Sequence, residues 1–384
     1  MRNRLWRALA LIVAVGLIAA LLLLPDTLRG LSLVIRAASL QEGWTGALGR
    51  LQTGPFDVSD LQVPSRYGPL RARLYRPQEP RGHPVVLTSG VHADGIDEPR
   101  LVKLARDLAA GGQVVLTPEP TDLLRYEITP RLTDMIEDAA TWLSGQKELA
   151  PDGKVSLFGI SFSGGLSVVA AGRPALENKV AAALSLGGHG DLSRVLAFLC
   201  TGTLPDGQHL KPHDYGVVVI LLNVADRLVP PEQVEPLRAG IRTFLRASHL
   251  TLTDARRAEE TFEEARKIQR QLPEPAATLM GYVNTRDVAA LGPVLLPHVK
   301  AFAADPSVSP ERAPPPRSPV YLLHGADDTV IPAIEASLLA EALRPHTQVH
   351  LLPTPLITHA EFDRSARAAE VWKLVSFWAD LIDE

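Results

Sequence analysis

Residues 155–170 constrain this chain more than any other stretch. A short apolar run, 155–158, leads into Gly159, Ile160, Ser161, Phe162, Ser163, Gly164 and Gly165, and then into apolar helix formers over 166–170. That order reads as a strand, a tight turn and a helix. The turn needs small residues because the backbones entering and leaving it almost touch. A serine sits at the apex, with Gly159 two residues before it and Ser163 two residues after it. This is the G-x-S-x-G pattern with its last glycine replaced by serine. Free N–H groups at the start of the following helix are suited to stabilising a developing negative charge. Ser161 is the preferred apex because Gly159 directly follows the strand. Ser163, flanked by Ser161 and Gly165, is the alternative. A glycine-rich turn between a strand and a helix carries no chemistry alone, so the rest of the chain must supply it.

The pattern on either side of this turn is α/β. Apolar strands are predicted at 85–88, 114–117, 155–158, 180–186, 320–323 and 349–352. Helices are predicted between or after them at 98–110, 130–149, 332–343 and 361–382. Strands alternating with helices imply a mostly parallel central sheet flanked by helices. Two earlier strands, 56–63 and 70–75, are joined by a turn at 65–68 and read as antiparallel. The alternation breaks between Asp191 and Ser318. Helices are predicted there at 214–227, 232–248 and 254–272, although 217–222 also reads as a strand. Six prolines between Pro306 and Pro319 mark a linker back to the sheet. The expected organisation is therefore a membrane segment over 1–30, a tether over 31–54 and a first core part over 55–190. A helical cap insertion with its proline-rich linker spans 191–317, and the second core part 318–384.

Arg2, Arg4 and Arg7 precede an uninterrupted apolar run over 8–24, closed by Pro25 and Asp26. Such a run is at the short end of what spans a bilayer. The arginines orient the N-terminus to the cytoplasm, with the rest of the chain on the periplasmic or extracellular side. An uncleaved transmembrane anchor is preferred over a cleaved signal peptide, because no A-x-A-like site follows Leu24. The net charge of −4 implies no basic face, and hence no nucleic-acid partner. The single cysteine, Cys200, excludes an intramolecular disulfide and reads as a small buried hydrophobe.

A serine nucleophile requires a base, and the base an orienting carboxylate. After the cap, the predicted strand at 320–323 runs into His324, Gly325, Asp327 and Asp328, followed by Val330, Ile331 and Pro332. This puts a carboxylate at the carboxyl end of a parallel strand, where ligands bind in open α/β sheets. Asp328 is preferred and Asp327 is its neighbouring alternative. His359 lies in the loop between the last predicted strand and the last helix, within reach of the serine across the sheet edge. His350 falls inside a strand and reads as packed, while His324 reads as shaping its own loop.

The ordered serine, aspartate and histidine resemble the α/β-hydrolase superfamily, whose triad runs Ser…Asp/Glu…His. The elbow, the stretch from His324 to Pro332 and the late His359 carry the resemblance over residues 55–190 and 318–384. The resemblance implies that Ser161 attacks an acyl carbonyl, that His359 takes and returns the proton, and that Asp328 orients the imidazole. It implies an oxyanion hole made by the backbone N–H groups of Phe162 and Val91. It also implies a small-molecule ester or acyl substrate and a serine hydrolase of the carboxylic ester type. A peptidase or amidase on the same triad, and a non-catalytic binding module on the same fold, are the alternatives. No cofactor or metal is expected. His92, Asp94 and Asp97 form a competing ligand set, Asp191 is a fallback acid, and His189 is a candidate pocket residue.

Overall fold

A computed structural model describes residues 25–39, 43–251, 254–358, 361–362 and 368–384. Among these, no helix is long and apolar enough to cross a membrane. The apolar run of the predicted anchor lies outside the described residues.

Helix α1 (25–37) and α2 (Gly43–Arg50) precede the sheet. The first core part then runs β1 (Phe56–Val63), β2 (Leu70–Pro77), β3 (Val85–Thr88), α3 (Pro99–Ala110), β4 (Val115–Pro118), α4 (Thr121–Leu124), α5 (Arg131–Ser144), β5 (Val155–Ile160), α6 (Phe162–Ala171) and β6 (Val180–Leu186). Among the described residues six α-helices follow before the next strand: α7 (Leu192–Thr201), α8 (Asp214–Val224), α9 (Pro231–Leu250), α10 (Ala255–Gln271), α11 (Ala276–Thr285) and α12 (Val288–Phe302). The chain closes with β7 (Val320–Gly325), α13 (Ile334–Leu343), β8 (Val349–Thr354), β9 (Ile357–Thr358), β10 (Glu361–Phe362) and α14 (Ala368–Asp383).

Strands β1 to β8 form one sheet in the order β1-β2-β4-β3-β5-β6-β7-β8. β1 and β2 pair antiparallel from Phe56 opposite Pro77 to Val63 opposite Leu70, and β2 pairs antiparallel with β4. The remaining pairs, from β4–β3 to β7–β8, are parallel. Strands β3, β4 and β7 are buried at every position, as expected where helices cover both faces. The pleat still sorts their side chains. Val86, Leu116, Leu157, Ala183 and Leu322 join a core with α5, α6 and α13. Val85, Val115, Phe158, Leu184 and Leu323 face a second core with α1, α3 and α14. Residues 31–37, read from sequence as part of a tether, are helical, and Leu33 and Val34 belong to that second core.

The insertion between β6 and β7 is helical throughout its regular elements. Its ambiguous run, 217–222, lies within α8, where every residue from Gly216 to Leu222 is buried. A helix covered on all sides is apolar on all sides and loses its periodicity, so strand and helix look alike in sequence. α7, α11 and α12 have no counterpart among the predicted helices, and α12 contains Pro293 and Pro297. The final helix was expected from residue 361. Instead Glu361 and Phe362 pair with Thr358 and Ile357, and α14 begins at Ala368.

Candidate active site

β5 delivers Ser161 to the carboxyl edge of the sheet. Ser161 has φ 55° and ψ −131°, outside the regions open to an ordinary side chain. Such strain persists only where the surroundings enforce it. Here the Ser161 N–H donates to the Leu186 carbonyl at 2.7 Å, continuing the ladder to β6. Its own carbonyl accepts from the Gly164 N–H at 2.8 Å, which starts α6. Gly159 is required by this geometry, since a Cβ there would lie 2.0 Å from the Ser163 carbonyl oxygen. The two serines weighed from sequence separate cleanly. Ser163 is 0% exposed, and its Oγ is buried without a hydrogen-bond partner. Ser161 lines two cavities.

At the end of β7 the neighbouring aspartates also separate. Asp327 is exposed and Asp328 is buried. Asp328 Oδ1 accepts the backbone N–H groups of Val330 at 2.8 Å and Ile331 at 3.0 Å. His324, fully buried, donates Nε2–H to the Ile331 carbonyl at 2.7 Å and lies 3.7 Å from Asp328 Oδ2. It shapes the loop that fixes the carboxylate, as read from sequence. His350 stacks on Tyr321 with ring centroids 4.3 Å apart. His359 lies outside the described residues. Two residues before it, Ile357 lines a cavity of about 200 Å³ together with Ser161 and Trp378.

The loop after β3 passes directly over the serine. A Cβ on Gly90 would come within 3.3 Å of Ser161 Cβ, so the next residue, Val91, is held at the site. Phe162 is the first residue of α6, where a helix leaves its N–H without an intrahelical acceptor. The Val91 carbonyl accepts the Tyr215 hydroxyl at 3.3 Å, a contact from cap helix α8 to this loop. Tyr126, whose own φ is 60°, packs edge-on to Tyr215 at 6.2 Å. Burial pushes the Tyr126 phenol up to about 12 and that of Tyr215 well above the ordinary value. Neither tyrosine was signalled by sequence, because each is brought to the loop only by the folding of distant segments.

A larger cavity of about 460 Å³ lies between the sheet edge and the cap. Ser161, Phe162 and Val91 line it beside Val195, Leu196 and Leu199 of α7, Ile220 of α8 and Phe244 of α9. Its size falls in the range of about 300–1,000 Å³ typical of small-molecule sites, and its wall is mainly apolar.

An eight-stranded sheet with its second strand reversed, a strained serine turn after β5 and a buried acid after β7 define the architecture. The fold is that of the α/β-hydrolases. No family model matches the chain, and no curated protein does. Among solved structures it is similar to an acylaminoacyl peptidase from Pyrococcus horikoshii, at 12% identity and TM-score 0.44. That match covers 88% of this chain but 42% of the peptidase. It is also similar to an esterase from Pyrobaculum calidifontis, at 17% identity and TM-score 0.45, over 91% of this chain and 94% of the esterase. A thermostable carboxylesterase from a metagenomic library matches at 15% identity and TM-score 0.42, over 87% and 92% of the two chains.

The other residues singled out from sequence have structural work within this α/β-hydrolase fold. Asp191 caps α7 through the Arg194 N–H at 3.0 Å and pairs with Arg312 at 2.9 Å. Asp97 pairs with Arg71 at 3.0 Å and Arg73 at 2.9 Å, away from His92. His189 does not line either cavity. It is fully buried, stacked on Phe162 at 5.0 Å, and donates Nε2–H to the Val308 carbonyl at 2.7 Å. Burial lowers its pKa to about 4, so the ring is neutral at physiological pH. Cys200 is buried, and desolvation pushes its thiol up to about 12, which leaves it inert.

Proposed function

We propose that this chain is a membrane-anchored serine hydrolase that cleaves carboxylic esters through an acyl-enzyme. The single observation that carries this reading is Ser161, strained into an elbow at the floor of an apolar cavity. The Ser161 hydroxyl attacks the ester carbonyl carbon as His359 takes its proton. Asp328 holds the imidazole and stabilises its positive charge. The resulting oxyanion is bound by the N–H groups of Val91 and Phe162, each such donor being worth about 3 kcal/mol in the transition state. The tetrahedral intermediate collapses, the C–O bond to the alcohol breaks, and His359 returns the proton to the leaving oxygen. Water then attacks the acyl-enzyme by the same route, releasing the acid and restoring Ser161. The apolar cap wall favours a hydrocarbon acyl group over a peptide, whose unpaired amides would be costly to bury there. The N-terminal apolar run anchors the enzyme, with its catalytic domain on the non-cytoplasmic side.

The test is labelling of the full-length protein in detergent with a fluorophosphonate probe, followed by turnover of p-nitrophenyl esters and the matching anilides. Labelling should disappear in Ser161→Ala and His359→Ala and persist in Ser163→Ala. Ester turnover should exceed anilide turnover. Absence of labelling in folded wild-type protein would overturn the catalytic reading. Preferential anilide cleavage would turn it into an amidase.

A further inference from the structure

We infer that His92, Asp94 and His249 form a binding site for a divalent transition-metal ion of the zinc type, joining the cap to the loop that carries Val91. His92 and Asp94 lie on the core loop after β3, and His249 lies in the last turn of cap helix α9, 157 residues from His92. One potential ligand atom from each of the three falls within 4.8 Å of the others. His92 Nε2 and His249 Nδ1 are 3.0 Å apart, and His249 Nε2 lies 2.9 Å from Asp94 Oδ2. His92 Nδ1 is 4.0 Å from the same carboxylate oxygen. The imidazoles meet edge to face, with centroids 4.3 Å apart.

The backbone fixes the tautomer of His92. His92 Nδ1 accepts the Asp94 backbone N–H at 3.2 Å and therefore carries no proton. Its Nε2–H donates to His249 Nδ1, and His249 Nε2 faces Asp94 Oδ2. A neutral imidazole is the form that ligates a metal. Two imidazoles and a carboxylate are a donor set that zinc favours. Bond lengths of 2.0–2.2 Å in a tetrahedral site separate ligand atoms by roughly 3.3 Å. One donor atom from each of the three lies within 4.8 Å of the other two, so the three ligand atoms need only draw inward to converge on one ion. Ligation through His92 Nε2 requires its proton to move to Nδ1, at the expense of the contact from the Asp94 N–H. His92 and His249 both line the cavity that holds Ser161, so an ion reaches them from that side. Asp97, grouped with His92 and Asp94 in sequence, is replaced in the cluster by His249.

The experiment is titration of the full-length protein in detergent, free of any affinity tag, with Co²⁺ followed by its visible d–d absorption, and with Zn²⁺ by calorimetry. One equivalent of Co²⁺ should give four-coordinate bands that Zn²⁺ abolishes. His249→Ala and the nearly isosteric Asp94→Asn should each bind more than tenfold more weakly. Zn²⁺ should raise the melting temperature of the wild type and not that of His249→Ala. Equal titrations of wild type and both variants, or no ion bound by wild type, would overturn the inference. Ser161→Ala should bind the ion like wild type. The site therefore stands or falls independently of the hydrolase reading.

Discussion

Asp328 has two duties that two substitutions can separate. Its Oδ1 accepts two backbone N–H groups, from Val330 at 2.8 Å and Ile331 at 3.0 Å, and in the proposed mechanism its charge supports His359. Asp328→Asn keeps an acceptor at Oδ1 but removes the charge. A charge-assisted bond contributes about 1.5–3 kcal/mol and a neutral one about 0.5–1.5, so two weakened bonds cost about 2 kcal/mol of stability. The catalytic cost should be far larger. Loss of the orienting charge in a serine triad lowers kcat by about four orders of magnitude, or about 5.4 kcal/mol at 1.36 kcal/mol per decade. Asp328→Ala also strands both N–H donors, at about 1–3 kcal/mol each, and should destabilise more than the asparagine variant at similar residual activity. Denaturant unfolding gives the stability arm, and kcat on a p-nitrophenyl ester gives the catalytic arm. Asp327→Asn, at an exposed position, should keep kcat within about threefold of wild type. If Asp328→Asn kept that much activity, Asp328 would be a loop clamp and nothing more. If Asp327→Asn lost it instead, Asp327 would be the orienting acid.

Two further outcomes follow from the same structure. Tyr215→Phe removes the hydroxyl that holds the Val91 carbonyl, and should cost about 1 kcal/mol of stability. It should lower kcat severalfold with little change in KM, because it moves an oxyanion donor and leaves the apolar wall intact; an unchanged kcat would show that the loop holds itself. His189 should make the fold acid-sensitive. Its unfolded pKa is 6.5 and its folded value about 4, so between these pH values the unfolded chain binds a proton that the native ring refuses. Stability should fall as pH drops from 6.5 towards 4, by up to about 3 kcal/mol from this residue. Unfolding curves of His189→Gln should show a shallower decline over that window, and parallel curves would place the acid sensitivity elsewhere.

Sequence alone determined what is local. Strand β3 and both strands of the first hairpin are legible because pleat, burial and turn residues repeat over a few positions. The turn at Ser161 is legible because a strand meeting a helix at close range tolerates only small residues. Tertiary structure decided what depends on direction. Ser161 and Ser163 are two residues apart, yet the first turn of α6 points one at the cavity and seals the other under the sheet. Asp327 and Asp328 are adjacent, and the loop clamped by Val330, Ile331 and His324 turns one out and the other in. The buried helix α8 hid its period, and the prolines of α12 masked a helix that tertiary packing supports. Tyr215 and His249 meet the loop at residues 91–94 only because the cap folds back over the sheet edge. Contacts between segments more than a hundred residues apart leave no periodic trace in a single chain, and that is where the structure adds most to the site.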